Sequence, residues 1–264
     1  MYTIYDHNRE AWNELARQQI PLARPAGEKE FAKPQFIINP SGWVDFEVRG
    51  LRVLCLAAGG GKHSALFAAA GAETTVVDIS PAMLELDRRL AVERGLKVNI
   101  VEASMDNLSA LPVAHFDLVV QPVSTCYVPE VAPVYREVAR VIAPGGLYIS
   151  QHKQPVNLQA SLRIATVGYP LLEPYYRSGP LPAASAGSAL RESGTLEFLH
   201  RWDELLGGLC RAGFVIEDTF EPNHGDSAAT LGSFGHRCWF MAPYLAIKAR
   251  RKATAPSGQK LLVR

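Results

Sequence analysis

Seven short apolar runs, over residues 51–56, 74–77, 97–102, 116–120, 147–151, 214–221 and 244–249, set the rhythm of this chain. Runs of this length and near-continuous hydrophobicity suit strands buried on both faces. Between them lie stretches with helical spacing over 63–70, 81–94, 131–142 and 202–212. Ser80 and Pro81 supply an N-cap and a first helical residue for the second of these, and Gly95 stops it. Alternation of this kind predicts a parallel sheet with helices on both faces.

The pattern changes at both ends and once in the middle. Residues 2–19 read as a helix with Ile4, Trp12, Leu15 and Ala16 on one stripe. Residues 21–40 carry four prolines and the pair Phe31 and Phe36, and read as an irregular strap. Regular alternation breaks at His152. Residues from there to about 199 are rich in proline, glycine and tyrosine (Tyr169, Tyr175, Tyr176), which predicts a lid insertion with a short helix near 157–164. A long loop or hairpin extension is expected over 221–242. The predicted organisation is an N-terminal helix and strap over 1–46 that covers the site, a main domain over 47–250, and an unpacked basic tail over 251–264.

The most informative stretch is VLCLAAGGGKHSALFAAAGAETTVVDIS, residues 53–80. A strand leads into Gly59, Gly60 and Gly61. A helix follows, ending before Gly71, and a second strand closes on Asp78. Glycines let backbone approach a ligand, the helix N-terminus faces it, and an acid ending the second strand can accept from ribose hydroxyls. This is a nucleotide-binding βαβ unit.

Bulk properties narrow the partners. With 48% hydrophobic residues, 20% charged residues and a net charge of +1 over 264 residues, no overall field draws the chain to nucleic acid or anionic membrane. Basic residues cluster only in the tail, and no run of about 18 apolar residues occurs, so neither nucleic acid nor a membrane is expected as partner. Cys55, Cys126, Cys210 and Cys238 are scattered without a CxxC pair, which favours a reduced, cytoplasmic setting. His224, Asp226 and His236 match no established ligand spacing, so no metal is expected.

Six segments in order, VLCLAAGGG, VVDIS, EASMDNLSALP, FDLVVQPVSTCYVPEV, REVARVIAPGGLYIS and LLGGLCRAGFVIED, resemble the class I S-adenosylmethionine-dependent methyltransferases, in the small-molecule, type 11/25-like branch. The resemblance spans 51 to about 250 and implies a Rossmann-like α/β fold: a seven-stranded, mostly parallel sheet whose last strand is antiparallel. It implies S-adenosylmethionine as cofactor, S-adenosylhomocysteine as product, and a small-molecule methyl acceptor. Carried over, Ala57, Ala58, Gly59, Gly60 and Gly61 would cradle the methionine part of the cofactor. Asp78 would hold the ribose hydroxyls and Ile79 would pack on the adenine. Met105 and Asp106 would meet the adenine ring and its amine, and Met83 and Ser104 complete the cofactor set. Gln121 would sit beside the sulfonium. The family's first motif has the form LDLGCGxG; here Cys55 replaces its acid and Ala57 its first glycine.

Methyl transfer needs alignment and exclusion of water more than a fixed catalytic group. By position the catalytic candidates are His152, after the fifth strand, and Tyr127, in the loop after the fourth, with Tyr5 and Trp12 placed to close the pocket. Two alternatives use the same βαβ unit. One is a nicotinamide-dependent oxidoreductase, which wants a full GxGxxG fingerprint and a catalytic Tyr-Lys pair. The other is a non-catalytic protein that binds S-adenosylmethionine.

Overall fold

The computed structural model describes residues 2–44, 47–184 and 190–253. In chain order the elements are α1 (Ile4–Arg17), α2 (Glu28–Ala32), α3 (Gln35–Ile38), β1 (Arg52–Leu56), α4 (His63–Ala69), β2 (Glu73–Asp78), α5 (Pro81–Arg94), β3 (Val98–Glu102), β4 (Phe116–Gln121), α6 (Ala132–Val141), β5 (Ile142–Lys153), α7 (Pro155–Gln159), α8 (Trp202–Arg211), β6 (Phe214–Phe220), α9 (Phe234–Phe240) and β7 (Tyr244–Arg251). The strands form one seven-stranded sheet in the order β3-β2-β1-β4-β5-β7-β6. Strands β1 to β5 run parallel, and β7 lies antiparallel between β5 and β6.

Both faces of the sheet are covered, so side-chain alternation divides each strand between two cores. Leu54, Leu56, Val77 and Val119 pack with Val134 and Val138 of α6 and Leu205 and Leu209 of α8. Val53, Cys55, Val76, Leu118 and Val120 face the other way, against Phe67 of α4 and Leu84 of α5. The caps read from sequence organise α5: Ser80 Oγ accepts from the Met83 N–H, Pro81 is the first residue, and Gly95 ends the helix left-handed. Among the described residues, no helix is long and apolar enough to cross a membrane.

Four expectations need correction. Strand β5 does not end at Gln151; His152 pairs with Leu245 and Lys153 with Tyr244, so the antiparallel partner β7 carries it two residues further. At its other end β5 begins at Ile142 and not at Leu147, so APGG, residues 143–146, lies inside the strand, where the register with β4 shifts between the Phe116–Ile142 and Leu118–Leu147 pairs. The short helix expected near 157–164 sits earlier, as α7. The loop or hairpin expected over 221–242 contains α9, capped by Ser233 Oγ accepting from the His236 N–H. The strap holds two short helices, α2 and α3, and of the expected tail the residues 254–264 lie outside those described.

Helix α1 lies across the C-terminal edge of the sheet, held by two buried asparagines. Asn13 Oδ1 accepts from Ser80 Oγ at 2.7 Å and from the Ala82 N–H at 3.2 Å. Asn8 Nδ2 donates to the carbonyls of Tyr127 at 2.8 Å and Leu196 at 3.0 Å, while its Oδ1 accepts from the Leu196 N–H at 2.8 Å. One side chain thus joins α1, the loop after β4 and the insertion. Asn8→Ala leaves buried backbone groups without partners, each worth about 1–3 kcal/mol. It should lower Tm by roughly 5–10 °C in calorimetry; an unchanged Tm would contradict the anchoring.

Candidate active site

A cavity of about 380 Å³ opens at the C-terminal edge of the sheet, where the strand order reverses between β1 and β4. That is the place where open α/β sheets bind ligands. Its first end is the turn after β1. Ala57 is left-handed at φ +47° and Gly60 has φ +113°. At Gly59 a Cβ would stand 2.8 Å from Met83 Cβ and 2.9 Å from an Asp78 carboxylate oxygen. Only glycine fits against that carboxylate. Asp78 accepts from the N–H groups of Gly59 and Ser80, both at 2.9 Å. Burial pushes its pKa up against those N–H groups.

Below the turn lies a residue that sequence reasoning missed. Asp87 of α5 accepts from the Gly60 N–H at 2.8 Å and from the Ser64 hydroxyl. Cys55, where the family keeps its acid, is fully buried among apolar side chains. A carboxylate from α5, the second helix after β1, therefore braces the turn that the strand leaves without one. The only signal in the sequence is an Asp on the buried side of α5.

The second end of the cavity lies by β5 and β7. Beta strands are spaced about 4.8 Å apart, so β2 and β5, three steps apart, are separated by about 14 Å. Gln151, Lys153 and Tyr244 line this end, joined by Tyr127 from a 3₁₀ turn (Thr125–Tyr127), Glu192 from the insertion, and His224. Lys153 Nζ, almost wholly buried, bonds Glu192 at 2.8 Å and Glu197 at 3.0 Å. Tyr127 donates to Glu192 Oε2 at 2.5 Å, and Arg191 Nε donates to Glu197 at 2.7 Å. Burial disfavours the Lys153 ammonium, but Cys126 and the two carboxylates raise its pKa above the ordinary value. Glu192 is also disfavoured by burial, yet Lys153 and the Tyr127 hydroxyl hold it below the usual carboxylate range.

The sequence candidates divide between these surroundings. Ala57, Ala58, Gly59, Asp78, Ile79, Met83, Ser104, Met105 and Tyr127 line the cavity, as do Tyr5 and Trp12 of α1. Gly60 and Gly61 shape the turn from behind it. Asp106 is not in the wall; it accepts from Ser104 Oγ and from Tyr5 Oη, both at 2.5 Å. Gln121 also falls outside the cavity and is 2% exposed. Its amide donates to Met105 Sδ at 3.2 Å and Ser124 Oγ at 2.9 Å, and it accepts from Tyr148 Oη. It supports the floor, with Pro122, Val123 and Ser124 forming the surface above.

His152 is corrected more sharply. Because β5 continues through it, alternation turns Gln151 and Lys153 to the cavity and His152 to the opposite face. It is fully buried, with ring nitrogens 2.8 Å from Thr125 Oγ1 and Ser150 Oγ. Burial, and then His200, push its pKa down to about 3. It is an interior residue with both nitrogens engaged. His236 is also engaged, with Tyr169 Oη 2.8 Å from Nδ1, and Asp226 caps its own turn.

A methyltransferase-domain family matches residues 54–150. An uncharacterized methyltransferase of Bacillus subtilis, YbaJ, is 31% identical over 238 residues, covering 85% of this chain and 93% of that protein. The chain belongs to the class I S-adenosylmethionine-dependent methyltransferases. A ubiquinone biosynthesis O-methyltransferase of Bordetella pertussis is 35% identical over 45% of this chain and 51% of its own length. Among solved structures, an S-adenosylmethionine-dependent methyltransferase from Mesorhizobium loti aligns at TM-score 0.63 with 26% identity, over 78% of this chain and 93% of that one.

For a methyltransferase the first end of the cavity has the right chemistry. The close backbone at Gly59, the carboxylate of Asp78 and the apolar flank of Ile79, Met83 and Met105 fit a ribose bearing a flat base. The brace beneath is open to test by pH. Burial raises the Asp87 pKa to about 6 from 3.8, against its hydrogen bonds from Ser64 and the turn. Between those values the folded state binds the extra proton, so this group's contribution to stability falls as pH rises from about 4 to 6. Asp87→Asn removes that loss. Denaturant unfolding should show the stability of the variant minus wild type growing by about 3 kcal/mol across the window; a flat difference would contradict the assignment.

Proposed function

We propose that the cavity binds S-adenosylmethionine at its β1–β2 end and directs the methyl group toward a small-molecule acceptor at its β5–β7 end. One observation carries the reading: a single cavity joins the glycine turn and Asp78 to Tyr127, Lys153 and Glu192. Asp78 accepts from the ribose hydroxyls, and Gly59 admits the sugar beside it. Ile79, Met83 and Met105 enclose the adenine, with Ser104 at its edge. Ala57, Ala58 and the three glycines carry the backbone around the methionine portion. Asp106 acts through Tyr5, holding α1 over the site, and Gln121 fixes the floor through Met105 and Ser124.

Bound there, the cofactor supplies a methyl group already activated by its sulfonium. The chain's part is to align an acceptor and keep water out, a gain of mainly entropic origin. Trp12 packs edge-on to Tyr127 at 5.4 Å, so α1 closes the cavity from above. The aromatic walls, Tyr5, Trp12, Tyr127 and Tyr244, suit an acceptor with an apolar or aromatic body. The partial match to ubiquinone biosynthesis O-methyltransferases agrees with such an acceptor.

Calorimetric titration with S-adenosylhomocysteine and with NADPH tests the reading. S-adenosylhomocysteine should bind and NADPH should not, and Asp78→Ala should weaken the former by about 10²-fold. Binding of NADPH without a response to S-adenosylhomocysteine would overturn it.

A further inference from the structure

The acceptor end contains an arrangement that assigns direction to a hydrogen bond. Arg191, Glu197, Lys153, Glu192 and Tyr127 form a chain of contacts, each 3.0 Å or shorter, that ends at the cavity wall. Lysine and arginine can only donate, and an ionised carboxylate can only accept. Glu192 Oε2 receives the Lys153 ammonium from one side and the Tyr127 hydroxyl from the other. Burial, with the nearby Cys126 and carboxylates, pushes Tyr127 well above the usual phenol range, so it keeps its proton. That proton is committed to Glu192. What Tyr127 Oη has left for the cavity is a lone pair.

We propose that Tyr127 Oη is the hydrogen-bond acceptor that receives the O–H of the methyl acceptor, and that Tyr127 and Glu192 form its proton exit. The inference rests on the methyl-transfer reading above and extends it to a substrate class: a neutral, apolar or aromatic molecule methylated on a hydroxyl oxygen.

The step balances. The acceptor oxygen forms a bond to the methyl carbon as the S–CH3 bond breaks, its electron pair staying on sulfur. The acceptor's proton passes to Tyr127 Oη while the Tyr127 proton passes to Glu192. A hydroxyl oxygen gaining a methyl group becomes strongly acidic, so a carboxylate below the usual range is base enough, and it is fully ionised beforehand. Charge favours oxygen over nitrogen. Lys153 and Arg191 offset Glu192 and Glu197, so the resting network has no net charge to attract an ammonium. When Glu192 takes the proton, its negative charge is lost together with the sulfonium's positive charge, so the total charge of the site is unchanged by the step.

Burying four charges beside a cavity costs free energy that an apolar wall would not. A purely structural network would not tell a hydroxyl from its methyl ether. The test therefore compares 2-naphthol with 2-methoxynaphthalene, binding each to the S-adenosylhomocysteine complex and following naphthalene fluorescence. Wild type should bind 2-naphthol at least about tenfold more tightly. Tyr127→Phe should bring the two within about twofold, since the Oη lone pair is then gone. In Glu192→Gln, Lys153 and Tyr127 share one acceptor position, so the amide oxygen occupies it and the Tyr127 hydroxyl still donates there. That variant should keep the preference for 2-naphthol, and a preference for the methyl ether would overturn the inference. Weak or equal binding of both probes by wild type, or a preference that survives Tyr127→Phe, overturns the inference. Retained S-adenosylhomocysteine binding shows that each variant is folded. Absence of that binding in wild type would refute the methyl-transfer reading, and this inference with it.

Discussion

The backbone of Gly59 lies so close to the Asp78 carboxylate that no side chain fits between them, and much of the molecule holds that contact in place. Strands β1 and β2 pair in register from Arg52–Glu73 to Leu56–Val77, which brings the turn and the acid to the same edge. Asp87 reaches up from α5 to take the next N–H of the turn. Asn13 of α1 bonds Ser80, two residues beyond the acid. A left-handed alanine at position 57 is tolerated because both neighbouring elements are fixed on all sides. The family's first-motif acid is absent, yet the turn retains a carboxylate beneath it from a different element.

Helix α1 links this end of the cavity to the other. Tyr5 bonds Asp106, Asn13 bonds the start of α5, and Asn8 bonds both the loop carrying Tyr127 and the insertion near Leu196. The helix contributes Tyr5, Asn8 and Trp12 to the wall. Both ends of the cavity are therefore walled by the same helix. The insertion is secured separately: the buried Arg237 of α9 donates to the carbonyls of Asn157, Ala160 and Ser161 around the end of α7.

The sheet and the glycine-turn end of the cavity were legible because their signals are local. A strand buried on both faces is an apolar run, and the turn with its acid lies within 28 residues, 53–80. The β5–β7 end was not, because its parts meet only through folding. Lys153 and Glu192 are 39 residues apart and gain a common role when the insertion folds back over β5. One boundary decided His152: ending β5 at Gln151 made it a loop residue facing the ligand, whereas two more strand residues place Lys153 there. Alternation along the strand contained that answer once β7 was known to pair so far. Helix α9 escaped because seven residues with a glycine and three aromatics carry little helical signal.

The most direct test of this account is a crystal structure of the S-adenosylhomocysteine complex. Both ribose hydroxyls should lie within hydrogen-bond distance of Asp78, with adenine between Ile79 and Met105 and the sulfur directed toward Tyr127 Oη. A ligand bound elsewhere, or with its sulfur directed away from the Tyr127 and Glu192 wall, would contradict it.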